Sequence, residues 1–407
     1  AAVSNLGNRP PHRIVILACE KRSALAVVRA LVEENPEIRL ILGSEDAHAM
    51  AFYSRFARSR AQRIVYTSPR VSIKRFIADV LGALDGHGSC LMFGMNEETM
   101  VPFLDVSESL PTTLELAYPT HAGLRVTLDK LQATRYAEEA GFRVPVTSTT
   151  DELDDFMRRV TGPFVVKPRV SRCKVGDCIQ SAEVAYAATA LELERLVETW
   201  TLSCAEPIVQ TRVLGDGYGL FFLFDRGHYV AHCGHRRLRE YPLDGGPSVL
   251  RCSVVLPELI VNRAVRMLER LEWHGVCMVE LKGPPHDPYF LEINPRFWGS
   301  LQLAVHAGVN FPSMLYRLAT GELQKHPAAR THYTEGVSSW WLRGQVARSL
   351  ELLQRRGMLV GGLQGLREMF PSRPLPDLDT FRIDDPLPFA MEMIQGFRRG
   401  VCRPRSE

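Results

Sequence analysis

Short apolar runs and amphipathic stretches alternate along the first quarter of the chain. "HRIVILAC" (His12–Cys19) and "IRLILG" (Ile38–Gly43) read as buried strands. Between them Leu25, Val28, Leu31 and Val32 share one helical face, with Ser23 as the expected N-cap. "RIVYTS", a helix from about Val71 to Leu84, and "SCLMFGMN" continue the alternation. Residues 11–118 are therefore expected to form a doubly wound, Rossmann-like α/β domain. Its first turn, "ACEKRSA", lacks a GxGxxG fingerprint, which argues against a dinucleotide site there.

A break at "ESLPTTLELAYPTHAG" precedes a new pattern. The spacing predicts a helix capped by Thr127 and closed by Gly141, with Lys130 in its first turn. A capping box at Thr149–Glu152 opens the next helix, and another at Thr189–Glu192 opens "LELERLVETW". "GPFVVKPR" (Gly162–Arg169) is a strand holding Lys167 near its end. The polar segment Ser171–Cys178 suits a mobile flap whose amides and lysine reach a phosphate. "YGLFFLF" and "HYVAHCG" pair across the turn "DRG". The following loop carries Arg236, Arg237 and Arg239, then Gly245 and Gly246, a combination suited to capturing an anionic group. A solvated, charged surface loop is the bland alternative.

The chemistry concentrates in "YFLEINPRFWG" (Tyr289–Gly299). Glu292, Asn294 and Arg296 are two apart, so a strand presents them on one face while Leu291, Ile293 and Phe297 point to the other. On the preceding strand, "VCMVELKG", Met278, Glu280 and Lys282 share a face. An antiparallel pairing brings Glu280 beside Glu292 and Asn294, and neighbouring carboxylates repel unless a cation bridges them. Oxygen ligands of this kind suit Mg²⁺. The cationic and amide neighbours do not resemble a glycosidase pair.

Composition narrows the class. With 407 residues, 45% hydrophobic, 23% charged and a net charge of +3, the chain suits two or three globular units without a broad nucleic-acid surface. No apolar run is long enough to cross a bilayer and no signal peptide is evident, so a cytoplasmic location is expected. Nine scattered cysteines read as free thiols, and no His pair completes a zinc pattern. The opening "AAVSNLGNRP" reads as a processed or trimmed end. The stretch from about 326 to 407 reads as helical and basic, with Trp340 and Trp341 packed against the main body.

The order of elements, with "HRRLREYP" followed by Gly245–Gly246 and "EINPRFWGSLQLA", resembles the ATP-grasp superfamily, most of all its carboxylate–amine ligases. The resemblance covers roughly residues 12–325. It implies a pre-ATP-grasp α/β domain (11–118), an ATP-grasp fold of two α+β subdomains (119–325, lid about 145–212) and a mainly helical C-terminal extension (326–407). It implies that Lys130 and Lys167 contact nucleotide phosphates and that adenine lies against a hinge at Gln210 with the backbone of Thr211 and Val213. It further implies that Asp216 holds the ribose and that Glu280, Glu292 and Asn294 bind Mg²⁺. Arg296 and Arg237 would meet the transferred phosphate or the substrate carboxylate. Two departures stand out: Gln210 replaces a frequent Glu, and the flap is poorer in Gly and Ser than usual. The implied activity is ATP-dependent joining of a small carboxylate, such as an amino acid or small peptide, to an amine through an acylphosphate. A homodimer is the weakly favoured assembly. A bicarbonate or thiol acceptor, or an ATP-binding module without turnover, are the alternatives.

Overall fold

The three-dimensional structure, a computed structural model, describes residues 13–200, 206–323, 332–370 and 375–398. The expected trimmed end therefore lies outside the described residues. Strands β1 (Arg13–Ile16), β2 (Leu40–Ser44), β3 (Ala61–Val65), β4 (Cys90–Phe93) and β5 (Leu114–Ala117) pair in parallel in the order β3-β2-β1-β4-β5. The apolar runs of the inner strands β1, β2 and β4 are buried on both faces, as covering helices require, whereas the edge strands β3 and β5 are partly exposed. Strand β5 falls inside the Pro- and Thr-rich break, where turn composition masks four strand residues. The first helix (Arg22–Glu34) begins one residue before Ser23, and Lys21 occupies the cap position without a side-chain bond.

The second sheet has the order β10-β7-β11-β6, built from β6 (Thr147–Thr149), β7 (Phe164–Pro168), β10 (Ala185–Ala187) and β11 (Pro207–Thr211). A separate hairpin, β8 (Cys173–Val175) with β9 (Cys178–Gln180), turns at Gly176, which has positive φ. The tip contacts the first domain. Asp177 accepts from Ser72 Oγ at 2.5 Å and from the Lys74 amide at 3.1 Å, capping the helix Ile73–Leu84. Six cysteines are free thiols (Cys19, Cys90, Cys178, Cys233, Cys252, Cys277), but Cys173 is disulfide-bonded.

The third sheet has the order β16-β15-β12-β13-β14-β17-β18. It contains β12 (Asp216–Asp225), β13 (His228–Glu240), β14 (Ser248–Ser253), β15 (Gly275–Gly283), β16 (Tyr289–Asn294), β17 (Ser338–Trp340) and β18 (Asp377–Leu378). Arg236, Arg237 and Arg239 thus lie on a strand rather than in a loop, because β13 runs to Glu240 and pairs with β14. The C-terminal segment adds two strands to this sheet as well as helices, and Trp340 and Trp341 pack on Val249 and Leu250. One apolar cluster joins the first and third sheets, running from Ile14 and Leu42 to Phe221, Met278 and Trp298.

Two further local expectations change. The predicted helix over Lys130 starts later than expected, as Lys130–Glu139 capped by Asp129, while Thr127 belongs to a preceding helix, His121–Leu128, capped by Thr120, and bonds back within it. Thr149 makes no side-chain cap, since a 3₁₀ turn precedes the helix Leu153–Arg159. Thr189 does cap its helix, and Glu192 reaches back to the Ala188 amide. Gly141 closes its helix at positive φ.

Candidate active site

A cleft of about 1130 Å³ opens where the three sheets converge, at the carboxyl ends of β1 and β4. That is the crevice position expected of an open α/β sheet.

One wall is the β15–β16 pair. Glu280 lies directly opposite Glu292 in the ladder, and Met278 opposite Asn294. Asn294 Nδ2 donates to Glu280 Oε1 at 2.9 Å and to Glu292 Oε1 at 3.4 Å. Arg237 grips Glu280 at 2.6 Å and Glu240 at 3.2 Å. Burial pushes the Glu280 carboxyl up, Arg237 opposes this and the Glu292 charge adds to it. Arg296 leaves the strand end to meet Glu97 at 3.2 Å and Asn294 Oδ1 at 3.4 Å. Burial would raise the Glu97 pKa, but Arg296 and Arg172 outweigh it and hold that carboxyl below its ordinary value. Glu97 follows the N-cap Asn96 beyond β4, and nothing in its local pattern marks it as a site residue.

The opposite wall carries two buried lysines. Asp129 caps the helix Lys130–Glu139 and pairs with Arg169 at 2.8 Å, while the Lys130 amide donates to the Arg169 carbonyl. This clamp fixes the helix start to the end of β7, so Lys130 stands beside Lys167. Lys130 Nζ donates to Ser171 Oγ. Burial lowers the pKa of both lysines, that of Lys167 to about 8, while the Glu292 carboxylate supports their charge. A desolvated ammonium without a carboxylate partner is a poised receptor for phosphate oxygens. Lys174, in contrast, points to Asp105 outside the cleft.

Gln210, Thr211 and Val213 line the cleft at the end of β11, and Gln210 donates to Thr147 Oγ1 at 2.8 Å. Gly245 and Gly246 also line it. Three candidates do not. Asp216 pairs with Arg236 at 2.7 Å at the half-exposed edge of β12 and β13. Arg236 alternates with Arg237 and so faces away from it. Arg239 is engaged by Gln345 Oε1 at 3.0 Å and by the Glu368 carbonyl. Strand alternation excludes Arg236, and a register shift in β13 between Arg237 and Arg239 breaks the alternation that would otherwise return Arg239 to the cleft face.

Two further cleft residues lie inside the quoted motifs but were given no role from sequence. His235 is 1% exposed, and neither ring nitrogen has a partner. Burial, with Arg237 and Arg251 nearby, pushes its pKa well below the usual value, so the ring is neutral. Gly219 makes room for it, since a Cβ there would lie 2.9 Å from His235 Cε1. Trp298 stacks on Phe221 at 4.1 Å with its indole nitrogen unpartnered.

The donor set fits a hard cation. Two carboxylates and an amide converge, and the like-charged pair is otherwise destabilised by burial. Among the described residues no group of three His, Cys, Asp or Glu side chains forms a metal cluster, so the candidate donors are the two carboxylates and the Asn294 amide.

A parallel crevice domain and a two-walled grip give this chain an ATP-grasp fold. Residues 237–341 match the family model described as ATP-grasp in the biosynthetic pathway with Ter operon. Pyruvate carboxylase of Staphylococcus aureus is 23% identical over 205 residues, which is half of this chain and 16% of that protein. The biotin carboxylase domain of Hydrogenobacter thermophilus 2-oxoglutarate carboxylase, solved with MgADP, ADP and bicarbonate, superposes with a TM-score of 0.62 at 12% identity, covering 81% of this chain and 74% of that one. The L-amino acid ligase of Bacillus licheniformis gives 0.57 at 15% identity, covering 77% and 75%. Among the described residues no helix is long and apolar enough to cross a membrane.

Proposed function

We propose that this chain is an ATP-dependent carbon–nitrogen ligase that activates a small carboxylic acid, with ATP and Mg²⁺ as cofactors. The observation that carries this reading is the face-to-face placement, across one cleft, of the Glu280–Glu292–Asn294 set and two buried lysines without carboxylate partners. Lys130 and Lys167 would bind the phosphate oxygens of ATP. Glu280, Glu292 and Asn294 would hold Mg²⁺, which supplies charge neutralisation at the transferring phosphoryl group. Arg296, buttressed by Glu97, and Arg237, buttressed by Glu280 and Glu240, are fixed cations for the phosphoryl group and the acid. The γ-phosphoryl group passes to the substrate carboxylate, and an amine then displaces phosphate to give the amide. The cleft-lining hairpin residues Ser171 and Arg172 would help to keep water from the acylphosphate.

The test is ADP release with Mg·ATP and hydroxylamine across pooled amino acids and small carboxylic acids. A hydroxamate with one pool is the expected result. ADP release stimulated by bicarbonate without hydroxamate would support the second reading, a carboxylase-like use of the site, towards which the pyruvate carboxylase similarity leans. ATP binding without ADP formation for any acid would overturn both.

The lysines impose a pH signature. Lys167 has a pKa of about 8 against 10.5 when exposed, so it is half charged near pH 8 and nearly fully charged only about one pH unit lower. Phosphate binding favours the protonated form. Nucleotide affinity should therefore be flat below pH 7 and fall as pH rises through about 8, approaching tenfold per pH unit while proton uptake accompanies binding. Titration calorimetry in buffers of different ionisation enthalpy measures this. Affinity independent of pH up to 9 would remove Lys167 from the phosphate site.

A further inference from the structure

The cleft extends well past the lysines and carboxylates, along one face of the third sheet. Gly219 and Phe221 of β12, His235 and Arg237 of β13, Arg251 of β14 and Ser339 of β17 share that face by register. Trp341 follows two residues after Ser339 on the same side. From β15, which carries Glu280, to β17 is four strand steps, roughly 19 Å at ~4.8 Å each. The far end of the cleft is built by the C-terminal segment, with Trp341, Arg343 and Met393 in its lining.

Most cations along the cleft are already neutralised. Arg22 pairs with Asp379, Arg70 and Arg172 with Glu98, Arg296 with Glu97, and Arg355 with Asp244 and Glu351. Among the described residues Lys21, Lys130, Lys167 and Arg343 line the cleft with no carboxylate at ion-pair distance. Lys130 and Lys167 belong to the phosphate end. Arg343 sits at the other end, in the first turn of the helix Leu342–Arg356, and Lys21 sits in the first β–α turn at the cleft mouth. No side chain caps this helix, so its leading amides have no side-chain acceptor. The Trp341 indole instead lies against Gly344, where any Cβ would collide with the ring. Two buried donors independently await a ligand in the same cleft: His235, with both nitrogens unpartnered, and Trp298 Nε1. The Arg343 guanidinium and the uncapped amides of its helix form a receptor for a second anionic group, with the imidazole and the indole N–H as further donors elsewhere in the same cleft.

We propose that the Arg343 end of the cleft binds a second carboxylate of the activated acid, so that the donor is a dicarboxylic acid or an acidic amino acid. The assignment rests on the ligase reading of the site, and it gives the C-terminal segment a part in substrate choice. An arginine side chain at one end and the metal and phosphoryl layer at the other occupy much of the span, which leaves room for a short acid between them.

The test is calorimetric titration of glutarate, and of its monocarboxylate analogue valerate, into the full chain and into Arg343→Gln and Arg343→Lys variants, with melting curves as the folding control. Wild type is expected to prefer glutarate to valerate and to bind it about tenfold or more tightly than Arg343→Gln, with Arg343→Lys between. Valerate affinity should be the same in all three. Equal glutarate affinity in wild type and Arg343→Gln, or no preference of wild type for glutarate, overturns the subsite. The hydroxylamine assay on the same proteins separates the two claims. Arg343-dependent glutarate binding without ADP release for any acid overturns the ligase reading alone. Glutaryl hydroxamate formed with an unaltered KM in Arg343→Gln overturns the subsite alone.

Discussion

Glu292→Ala is expected to lower Mg²⁺-dependent turnover by about 10²–10³-fold or more, the scale for removing a preorganised charge at a phosphoryl-transfer centre. The expectation has two physical parts. Glu292 faces Glu280 across the β15–β16 ladder, so its loss removes half of the paired carboxylates available to a cation. It is also the carboxylate that most supports the charge of both buried lysines, since burial lowers their pKa and Glu292 is the largest opposing influence on each. Without it the Lys167 pKa should fall below about 8, and part of the ammonium population would be lost near neutral pH. The two parts separate by measurement. Mg²⁺ titrations of ADP release report the metal site, whereas nucleotide affinity in EDTA as a function of pH reports the lysines. The variant should show a weakened Mg²⁺ dependence together with an acid-shifted affinity profile. Unaltered turnover and Mg²⁺ response would remove Glu292 from the metal site.

The legible part of this protein is the part encoded by short periodicities. The alternation of Glu292, Asn294 and Arg296 and the matching face of Glu280 were readable because a strand repeats every two residues and the turn between them is short. Lys167 was readable for the same reason. Lys130 was placed in a first helical turn, but with Thr127 as the cap. The actual cap, Asp129, accepts from the Leu131 and Gln132 amides, a local signal passed over for Thr127, and its further ion pair to Arg169, 40 residues away, is tertiary. Arg236 and Arg239 were misplaced because Gly245–Gly246 drew the loop boundary back over the end of a strand. Once β13 is extended to Glu240, period-two alternation sends Arg236 away from Arg237, and the register shift between Arg237 and Arg239 lets Arg239 turn to Gln345 and Glu368 instead. Glu97 and Arg343 carry no motif, and His235 and Trp298 lie inside the quoted motifs without a role assigned from sequence. Their relevance arises from tertiary convergence: Glu97 through Arg296, His235 through the space left by Gly219, and Arg343 through a helix that follows a strand added from the chain's last fifth.

That added strand depends on a single buried acid, and Asp379→Ala is expected to destabilise the fold by about 3–5 kcal/mol, the cost of leaving a buried ion cluster uncompensated. Asp379 receives Arg22 at 2.6 Å, and also Arg251 and Ser339 Oγ. The side chains of Arg22, Asp379 and Arg251 are exposed by 3%, 2% and 0%, so neither guanidinium can turn to water if the acid is removed. Arg22 retains its stacking on Trp341 at 4.0 Å and Arg251 its bond to the Ser248 carbonyl, which keeps the loss from being larger. Burial alone would raise the Asp379 pKa, but Arg251 and Arg22 reverse the shift and hold it below 3.8. A depressed carboxylate contributes stability that is complete above its unfolded pKa and is lost as pH falls through the folded value. The wild-type advantage over Asp379→Ala should therefore be constant from about pH 5 to 7 and shrink below about 4. Because the same acid joins the first helix, β14 and β17, the variant should also loosen the wall that carries Trp341 and Arg343, ahead of the β15–β16 wall. Urea unfolding at pH 7 and pH 4, with hydrogen exchange of residues 338–345 against 276–294, measures both effects. A loss below about 1 kcal/mol, or equal loosening of the two walls, would show that the cleft end stands without this cluster.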